Sequence, residues 1–290
     1  TAMTNPMDDW RARVRLGWRI ARDPHSLHVP PGHPYSPIPS AADVARAAGT
    51  EGPGPLDIPG VDLREAAQWD LLAELLPWYE STAAWLLQRE DRLDNTWFAG
   101  ADAVLYTLML RRLRPARIVE VGCGYSSRLT VDAAEKWLPG LDLTMIEPDP
   151  VRLLELIAEP ESLIASPVQD VDPAIFDDAD LVAIDSSHVM RAGSDVQHLL
   201  FTILPRLRSG THIHVHDIFH PFEYPASWLR SGTALNEAYA WRALLQDSSR
   251  LHIVLWNHML MRADRSWFES NMPLCLSAPF VTGGLWVEVR

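Results

Sequence analysis

Apolar and polar residues follow two different spacings in the second half of the chain. Short apolar runs that end in polar residues recur there, and such runs are typical of buried strands. The runs that we predict as strands are Ile118–Val121, Leu143–Glu147, Ser162–Pro167, Leu181–Asp185, Thr211–His216, His252–Trp256 and Gly284–Val289. We predict that the last of them joins the sheet at an edge.

Stretches between most of these strands carry apolar residues three or four positions apart, which is the spacing of one helix face. The predicted helices are Trp97–Leu113, Ser126–Trp137, Pro150–Ala158, Ser194–Leu207 and Leu235–Leu245. A regular alternation of strands and helices predicts an α/β fold, with a mostly parallel sheet that helices cover on both faces.

The first part of the chain has a different composition. Residues 24–59 are rich in proline and glycine and predict an extended loop that serves as linker or lid. Residues 61–88 then show helical periodicity and predict one or two amphipathic helices. We therefore expect an N-terminal extension or cap of helices and a Pro-rich segment over residues 1–95, and a larger α/β domain over residues 96–290.

Composition narrows the classes of partner. The chain has 290 residues and a net charge of -13, which argues against a nucleic-acid partner and favours small-molecule chemistry. No apolar run reaches membrane-spanning length, and the first residues lack the apolar core of a signal peptide, so a cytoplasmic protein is expected. Two cysteines form no disulfide framework, and no Cys/His spacing resembles that of a zinc site.

The segment IVEVGCGYSS, from Ile118 to Ser127, predicts a strand, a tight turn and a helix start. Gly122 and Gly124 let a ligand approach the bare backbone of the turn, beside the free N–H groups of the helix. Glu120 at the end of the strand favours a ligand ammonium group and repels a pyrophosphate. A dinucleotide fold requires a third glycine where Ser127 stands, so the sequence disfavours a dinucleotide cofactor.

Ligands of parallel α/β sheets bind outside the carboxyl ends of the strands, so we compared those ends. Glu147 ends the second strand, where an acid is positioned for ribose hydroxyls. Gln169 and Asp170 follow the third strand and suit an adenine edge. The segments IDSSH and HVHDIFHPFEYP end the fourth and fifth strands, and polar residues therefore collect on one rim of the sheet.

These segments together resemble the class I S-adenosylmethionine-dependent methyltransferases, and within them the metal-associated O-methyltransferase-like branch with an N-terminal cap. The resemblance implies a Rossmann-like sheet of seven strands and S-adenosylmethionine as cofactor. It implies that the cofactor is bound by Glu120, Gly122, Cys123, Gly124, Tyr125, Ser126, Glu147, Gln169, Asp170, Asp185 and Ser186. Tyr35 and Tyr224 are the predicted contacts of the methyl acceptor, and a homodimer is compatible with the resemblance.

Methyl transfer needs an aligned acceptor and a group that removes its proton, and the rim offers two ways to do so. In the first, Asp185 and Asp217 hold Mg²⁺ or Mn²⁺, which acidifies the acceptor; Ile218 stands where the branch has a further Asn ligand. His188, His216 and Asp217 are the groups placed to remove the proton, and in the second way His188 or His216 acts as general base without a metal. The sequence leaves both open.

The sequence therefore predicts transfer of a methyl group to an oxygen or nitrogen of a small metabolite, in natural-product or sugar tailoring. Two alternatives are a nicotinamide-dependent oxidoreductase, which Glu120 and Ser127 disfavour, and a cofactor-binding protein without catalysis. The three ionisable residues His188, His216 and Asp217 at strand ends argue against the latter.

Overall fold

The computed structural model describes residues 32–48, 56–89, 93–160 and 162–290, with isolated positions between 14 and 29. The chain forms two compact units, one of residues 1–54 with Glu223–Leu235 and one of Pro55–Phe222 with Asn236–Arg290. The helices are α1 (Ala41–Ala48), α2 (Glu65–Leu87), α3 (Ala101–Leu113), α4 (Tyr125–Trp137), α5 (Val151–Leu156), α6 (Asp195–His198), α7 (Ala226–Ser231), α8 (Glu237–Leu245), α9 (Asn257–Ala263) and α10 (Arg265–Asn271).

The larger unit contains a seven-stranded sheet. Its strands are β1 (Arg117–Val121), β2 (Asp142–Ile146), β3 (Leu163–Ile164), β4 (Leu181–Ile184), β5 (His212–Val215), β6 (Leu251–Trp256) and β7 (Leu285–Val289). They lie in the order β3-β2-β1-β4-β5-β7-β6, and β7 is antiparallel to both of its neighbours while the others pair in parallel. The predicted α/β fold with a mostly parallel sheet is confirmed.

The prediction that the last strand lies at an edge is wrong. Strand β7 lies between β5 and β6, and β6 occupies the edge. Leu285, Trp286 and Val287 are successive residues and all are buried. Such a run suits a strand that is covered on both faces, whereas an exposed edge strand alternates apolar and polar residues.

Strand register aligns the ends that form the rim. Val121 in β1 is level with Ile146 in β2 and with Ile184 in β4, and Ile184 is level with Val215 in β5. The residues that follow these positions therefore emerge at the same edge of the sheet. They are Gly122, Glu147, Asp185 and His216.

Helix α3 is buried at every residue from Ala101 to Leu110, with α2 and α4 packed against it. It begins after Gly100, later than the predicted start at Trp97. Helix α6 continues into a π turn over Leu199–Ile203 and a 3-10 turn over Leu204–Arg206, so that all of the predicted Ser194–Leu207 segment except its two end residues is helical.

The division of the chain at residue 95 stays a prediction. In the structure α2 contacts α3 and β6 within the larger unit, and in the other unit α1 contacts α7. Much of the Pro-rich segment, including residues 23–28, 30–31 and 49–55, lies outside the described residues. Of the helices in the described ranges, none is both long and apolar enough to cross a bilayer.

Candidate active site

The turn after β1 has a conformation that only glycine accepts without strain. Gly122 has a φ of +80°, and a Cβ atom at this position would lie 1.9 Å from the backbone oxygen of Asp185. The N–H of Gly122 donates to the carbonyl of Ile146 at 3.0 Å, and the N–H of Gly124 donates to Ser127 Oγ at 3.0 Å. The turn is thus fixed against β2 and β4, and α4 begins at Tyr125 directly after it.

Glu120 lies beneath this turn and is fully buried. Its Oε1 atom accepts a hydrogen bond of 2.5 Å from the Ser126 hydroxyl, while its Oε2 atom has no hydrogen-bond partner among the described residues. Burial raises the pKa of the Glu120 carboxyl to about 7, although the Ser126 hydroxyl opposes the rise. A buried acceptor without a donor is the kind of group that a ligand ammonium or a water satisfies.

Glu147 holds the turn from the side of β2. Its Oε2 atom accepts from the N–H of Cys123 at 3.0 Å, and its Oε1 atom accepts from the N–H of Asp149 at 2.9 Å. The carboxylate remains partly exposed, so it retains acceptor capacity for a ligand hydroxyl. Burial raises the pKa of the Cys123 thiol well above its ordinary value, which makes the thiol a poor nucleophile near neutral pH.

The predicted adenine contacts lie in the 3-10 turn Val168–Asp170. Gln169 Nε2 donates to the carbonyl of Gly193 at 2.8 Å, whereas its Oε1 atom is buried without a partner among the described residues. Asp170 is exposed. Gln169 is therefore fixed in orientation and leaves one acceptor unused.

Two histidines converge on one carboxylate oxygen at the ends of β4 and β5. Asp185 Oδ1 lies 3.2 Å from His188 Nε2 and 3.2 Å from His216 Nδ1. Asp217 lies beside them, with Oδ2 3.8 Å from His188 Nε2 and Oδ1 3.7 Å from His216 Nδ1. The structure therefore brings together all four residues that were predicted for the two mechanisms.

The outer nitrogen of each ring contacts a second, deeply buried carboxylate. His188 Nδ1 lies 2.9 Å from Glu237 Oε2 at the start of α8, and His216 Nε2 lies 3.2 Å from Asp102 Oδ2 in the first turn of α3. We call Asp102, Asp185, His188, His216, Asp217 and Glu237 the histidine–carboxylate cluster.

Further side chains fix the outer carboxylates. Trp241 Nε1 donates to Glu237 Oε1 at 3.2 Å, and Asn257 Nδ2 donates to Asp102 Oδ1 at 3.1 Å. Neither Asp102 nor Glu237 was predicted as a site residue. A carboxylate in the first turn of a helix is common for reasons of helix electrostatics, so its position alone did not mark Asp102 as a site residue.

The cluster shifts the pKa values of its members. Burial alone would lower the pKa of His188, but hydrogen bonds to Asp185 and Glu237 raise it to about 10. Burial likewise opposes protonation of His216, yet Asp217 and Asp185 raise its pKa well above the ordinary value. Burial raises the pKa of Asp217, whereas for Asp185 the effect of burial is outweighed by His216 and His188, which lower the pKa.

The backbone is strained at two members of the cluster. His188 and Asp217 both have a φ of 56°, in the left-handed region that residues with a side chain adopt at a cost of about 1–3 kcal/mol. The carbonyl of His188 accepts the N–H groups of Asn236 and Glu237 at 3.1 and 3.2 Å. These contacts hold His188 in its strained conformation, and such strain is concentrated at functional sites.

The predicted acceptor contacts belong to the smaller unit. Tyr35 is 83% exposed, whereas Tyr224 is buried.

His214, two residues before His216, is buried among the rings of Tyr106 and Trp286. Burial lowers its pKa to about 3, which keeps the ring neutral.

Comparisons with known proteins agree with this geometry. A family model described as a methyltransferase domain matches residues 119–218, which run from within β1 to just beyond β5. An uncharacterized protein of Archaeoglobus fulgidus is 33% identical over 164 residues, which cover 51% of this chain and 72% of the relative.

Two solved structures are similar at lower identity. The O-methyltransferase TomG from Streptomyces achromogenes, solved with S-adenosylmethionine, is 17% identical with a TM-score of 0.43, over 75% of this chain and 90% of its own. The Podospora anserina methyltransferase PaMTH1, solved with S-adenosylhomocysteine, is 15% identical with a TM-score of 0.44, over 86% and 94%. With the family model, the glycine turn and the strand order taken together, the chain belongs to the class I S-adenosylmethionine-dependent methyltransferases.

Proposed function

We propose that this methyltransferase moves the methyl group to a hydroxyl oxygen, or to an amine nitrogen, of a small metabolite in natural-product or sugar tailoring. One observation carries the proposal. The backbone oxygen of Asp185 lies against Gly122 of the cofactor turn. The side-chain Oδ1 atom of the same residue contacts ring nitrogens of His188 and His216. The predicted cofactor turn and a cluster of proton-binding groups therefore meet at one residue.

The residues around the turn fit S-adenosylmethionine. The unpartnered Oε2 atom of Glu120 suits the ammonium of its methionine part, and the exposed edge of Glu147 suits the ribose hydroxyls. The unused Oε1 atom of Gln169 suits the amino group of adenine, with Asp170 beside it. The bare backbone of Gly122 admits close approach, and its neighbours Cys123, Gly124, Tyr125 and Ser126 and the strand-end residue Ser186 complete the proposed contacts.

The bound cofactor supplies a methyl group on a positively charged sulfur, which is already a strong electrophile. The tasks left to the chain are to align the acceptor and to take its proton. The acceptor atom bonds to the methyl carbon, the bonding pair of the carbon–sulfur bond goes to sulfur, and the acceptor proton goes to a group on the rim.

Asp217 is the best placed of the three proposed catalytic residues to accept that proton. Both ring nitrogens of His188 and of His216 already contact carboxylates, whereas the Asp217 oxygens approach these two histidines only at the longer distances of 3.8 and 3.7 Å. Burial raises the pKa of Asp217, which makes it a stronger base than an ordinary carboxylate. The two histidines then act as positioning residues, since each lies 3.2 Å from Asp185 Oδ1.

We further propose that Tyr35 and Tyr224 contact the acceptor, as predicted from the sequence, and that the enzyme acts in the cytoplasm. The free cysteines Cys123 and Cys275 suit a reducing compartment. A homodimer remains part of the proposal, without nucleic acid or membrane as partner.

The proposal is tested by incubation with S-adenosylmethionine that carries a ¹³C methyl group, together with a panel of hydroxylated and amino-bearing metabolites. Mass spectrometry should find a labelled methyl group on an oxygen or nitrogen, and Asp217→Asn should slow its appearance by about 10²–10⁴-fold. Asp178→Asn, an exposed aspartate of the same unit, is the matched control and should keep the rate. Hydride exchange with a nicotinamide dinucleotide and no methyl transfer would contradict the proposal.

A further inference from the structure

We propose that Asp185, His188 and His216 hold a divalent first-row transition metal ion of the zinc type. This inference rests on the proposed function only for the task of the ion, which is to acidify the methyl acceptor. It differs from a magnesium site held by Asp185 and Asp217, because two of the three donors are imidazole nitrogens.

The distances between the inner donor atoms suit one shared ion. Asp185 Oδ1 lies 3.2 Å from each inner ring nitrogen, and the three atoms all lie within 4.8 Å of one another. Ligand atoms bound to one zinc ion at usual bond lengths lie about 2.9–3.4 Å apart, depending on the coordination geometry. Two of the three separations are therefore already those of a coordinated set.

The donor types select the class of ion. Imidazole nitrogens suit Zn²⁺, Fe²⁺, Ni²⁺ and Cu²⁺, whereas Mg²⁺ prefers oxygen donors and retains its waters. Two histidines and one carboxylate, with further positions open, form a recurrent set for catalytic transition metals. The side chains of Asp185 and Asp217 are 32% and 17% exposed, so the open positions lie on their side of the cluster.

The outer contacts supply the supporting carboxylates that histidine ligands commonly have. In protein metal sites, a ligating histidine usually donates its other ring N–H to a carboxylate or carbonyl, which fixes the tautomer and the ring orientation. Glu237 does so for His188 at 2.9 Å, and Asp102 does so for His216 at 3.2 Å. Both carboxylates are buried and belong to two different helices, α8 and α3.

The strained backbone adds an independent observation. His188 reaches its position only with a φ of 56°, and Asp217 has the same unusual value. A histidine on an ordinary loop would relax to a negative φ. Instead, the two segments that follow β4 and β5 place their three donors close together.

Metal binding by the purified full chain tests the proposal without reference to catalysis. After a chelator has been used and removed, equilibrium dialysis should find one Zn²⁺ or Co²⁺ per chain, bound at least about 100-fold more tightly than Mg²⁺. Bound Co²⁺ should show visible absorption bands of a site with nitrogen ligands. No stoichiometric Zn²⁺ or Co²⁺ binding by the wild-type chain, or a preference for Mg²⁺, would overturn the proposal.

Variants locate the ion. His188→Gln and His216→Gln should each abolish tight binding, while Glu237→Gln and Asp102→Asn should weaken it about 10–100-fold. His212→Gln is the matched control, because this histidine lies at the opposite end of β5 and should leave binding unchanged. Tight binding that survives both ligand changes would place the ion elsewhere and contradict the proposal.

Binding of S-adenosylhomocysteine by the same variants separates the two proposals. A variant that binds this ligand but no metal is folded, and its metal result stands. A wild-type chain that binds the ligand and no metal contradicts only the metal site. One that binds metal and no ligand contradicts only the proposed methyl transfer.

Discussion

The carboxylate of Asp102 lies 3.2 Å from His216 Nε2, although 114 residues separate the two along the chain. Asp102 is in the first turn of the buried helix α3, and His216 follows β5. The contact links the central helix to the rim of the sheet. It also fixes which nitrogen of His216 faces Asp185, so the orientation of the cluster depends on a residue far from it in sequence.

Removal of this carboxylate should be costly to stability. Asp102→Ala leaves a buried imidazole nitrogen and the amide of Asn257 without their partner, and we expect the free energy of unfolding to fall by about 3–5 kcal/mol. Urea denaturation measures the change. Asp178→Ala, at an exposed position, should change stability by less than about 0.5 kcal/mol. Equal stability of the two variants would mean that the Asp102–His216 contact does not form.

Alanine substitutions at two glycines of similar φ distinguish the cost of backbone strain from the cost of a steric clash. Gly122 has a φ of +80° and Gly140 a φ of +83°, but a Cβ atom meets the Asp185 backbone only at Gly122 and meets nothing within 4 Å at Gly140. Gly140→Ala should cost about 1–2 kcal/mol of stability and leave binding of S-adenosylhomocysteine unchanged. Gly122→Ala should cost more and abolish that binding. Unchanged binding in Gly122→Ala, measured by calorimetry, would contradict the proposed role of the turn.

The pKa of Glu120 gives stability a defined dependence on pH. Its folded value of about 7 lies above the ordinary 4.5, so the native state binds more protons between these values and the free energy of unfolding falls as pH rises. Compared with Glu120→Gln, the wild type should lose about 2–3 kcal/mol between pH 5 and pH 8, with no further loss above. Denaturation at both pH values measures this. A parallel response of wild type and variant would show that Glu120 titrates normally.

The strands could be predicted from the sequence because each is a short apolar run that ends in polar residues. Each of the seven predicted runs overlaps a strand, although the run Ser162–Pro167 contains only the two-residue β3. The position of β7 could not be predicted. Strand order depends on how the chain returns after β6 through α9 and α10, and that path is determined by packing across the sheet rather than by local pattern.

Residues at strand ends could be predicted for a physical reason. Parallel strands in register bring their carboxyl ends to one edge, so Glu147, Asp185 and His216 follow from the strand assignment alone. Asp102 and Glu237 could not, because each contacts its histidine only after helices have packed on the sheet. For the same reason a zinc-type spacing is absent from the sequence. Asp185 and His188 come from one short segment after β4, whereas the third proposed donor, His216, follows β5.

Calorimetric titration with S-adenosylhomocysteine tests the central claim most directly, namely that the glycine turn and Glu147 bind S-adenosylmethionine. We expect one ligand per chain, with Glu147→Ala weakening binding by about 1–3 kcal/mol through the loss of ribose hydrogen bonds. Glu155→Ala, which changes an exposed glutamate of α5, should bind as the wild type does. Absence of binding to the wild-type chain, together with binding of a nicotinamide dinucleotide, would contradict the account.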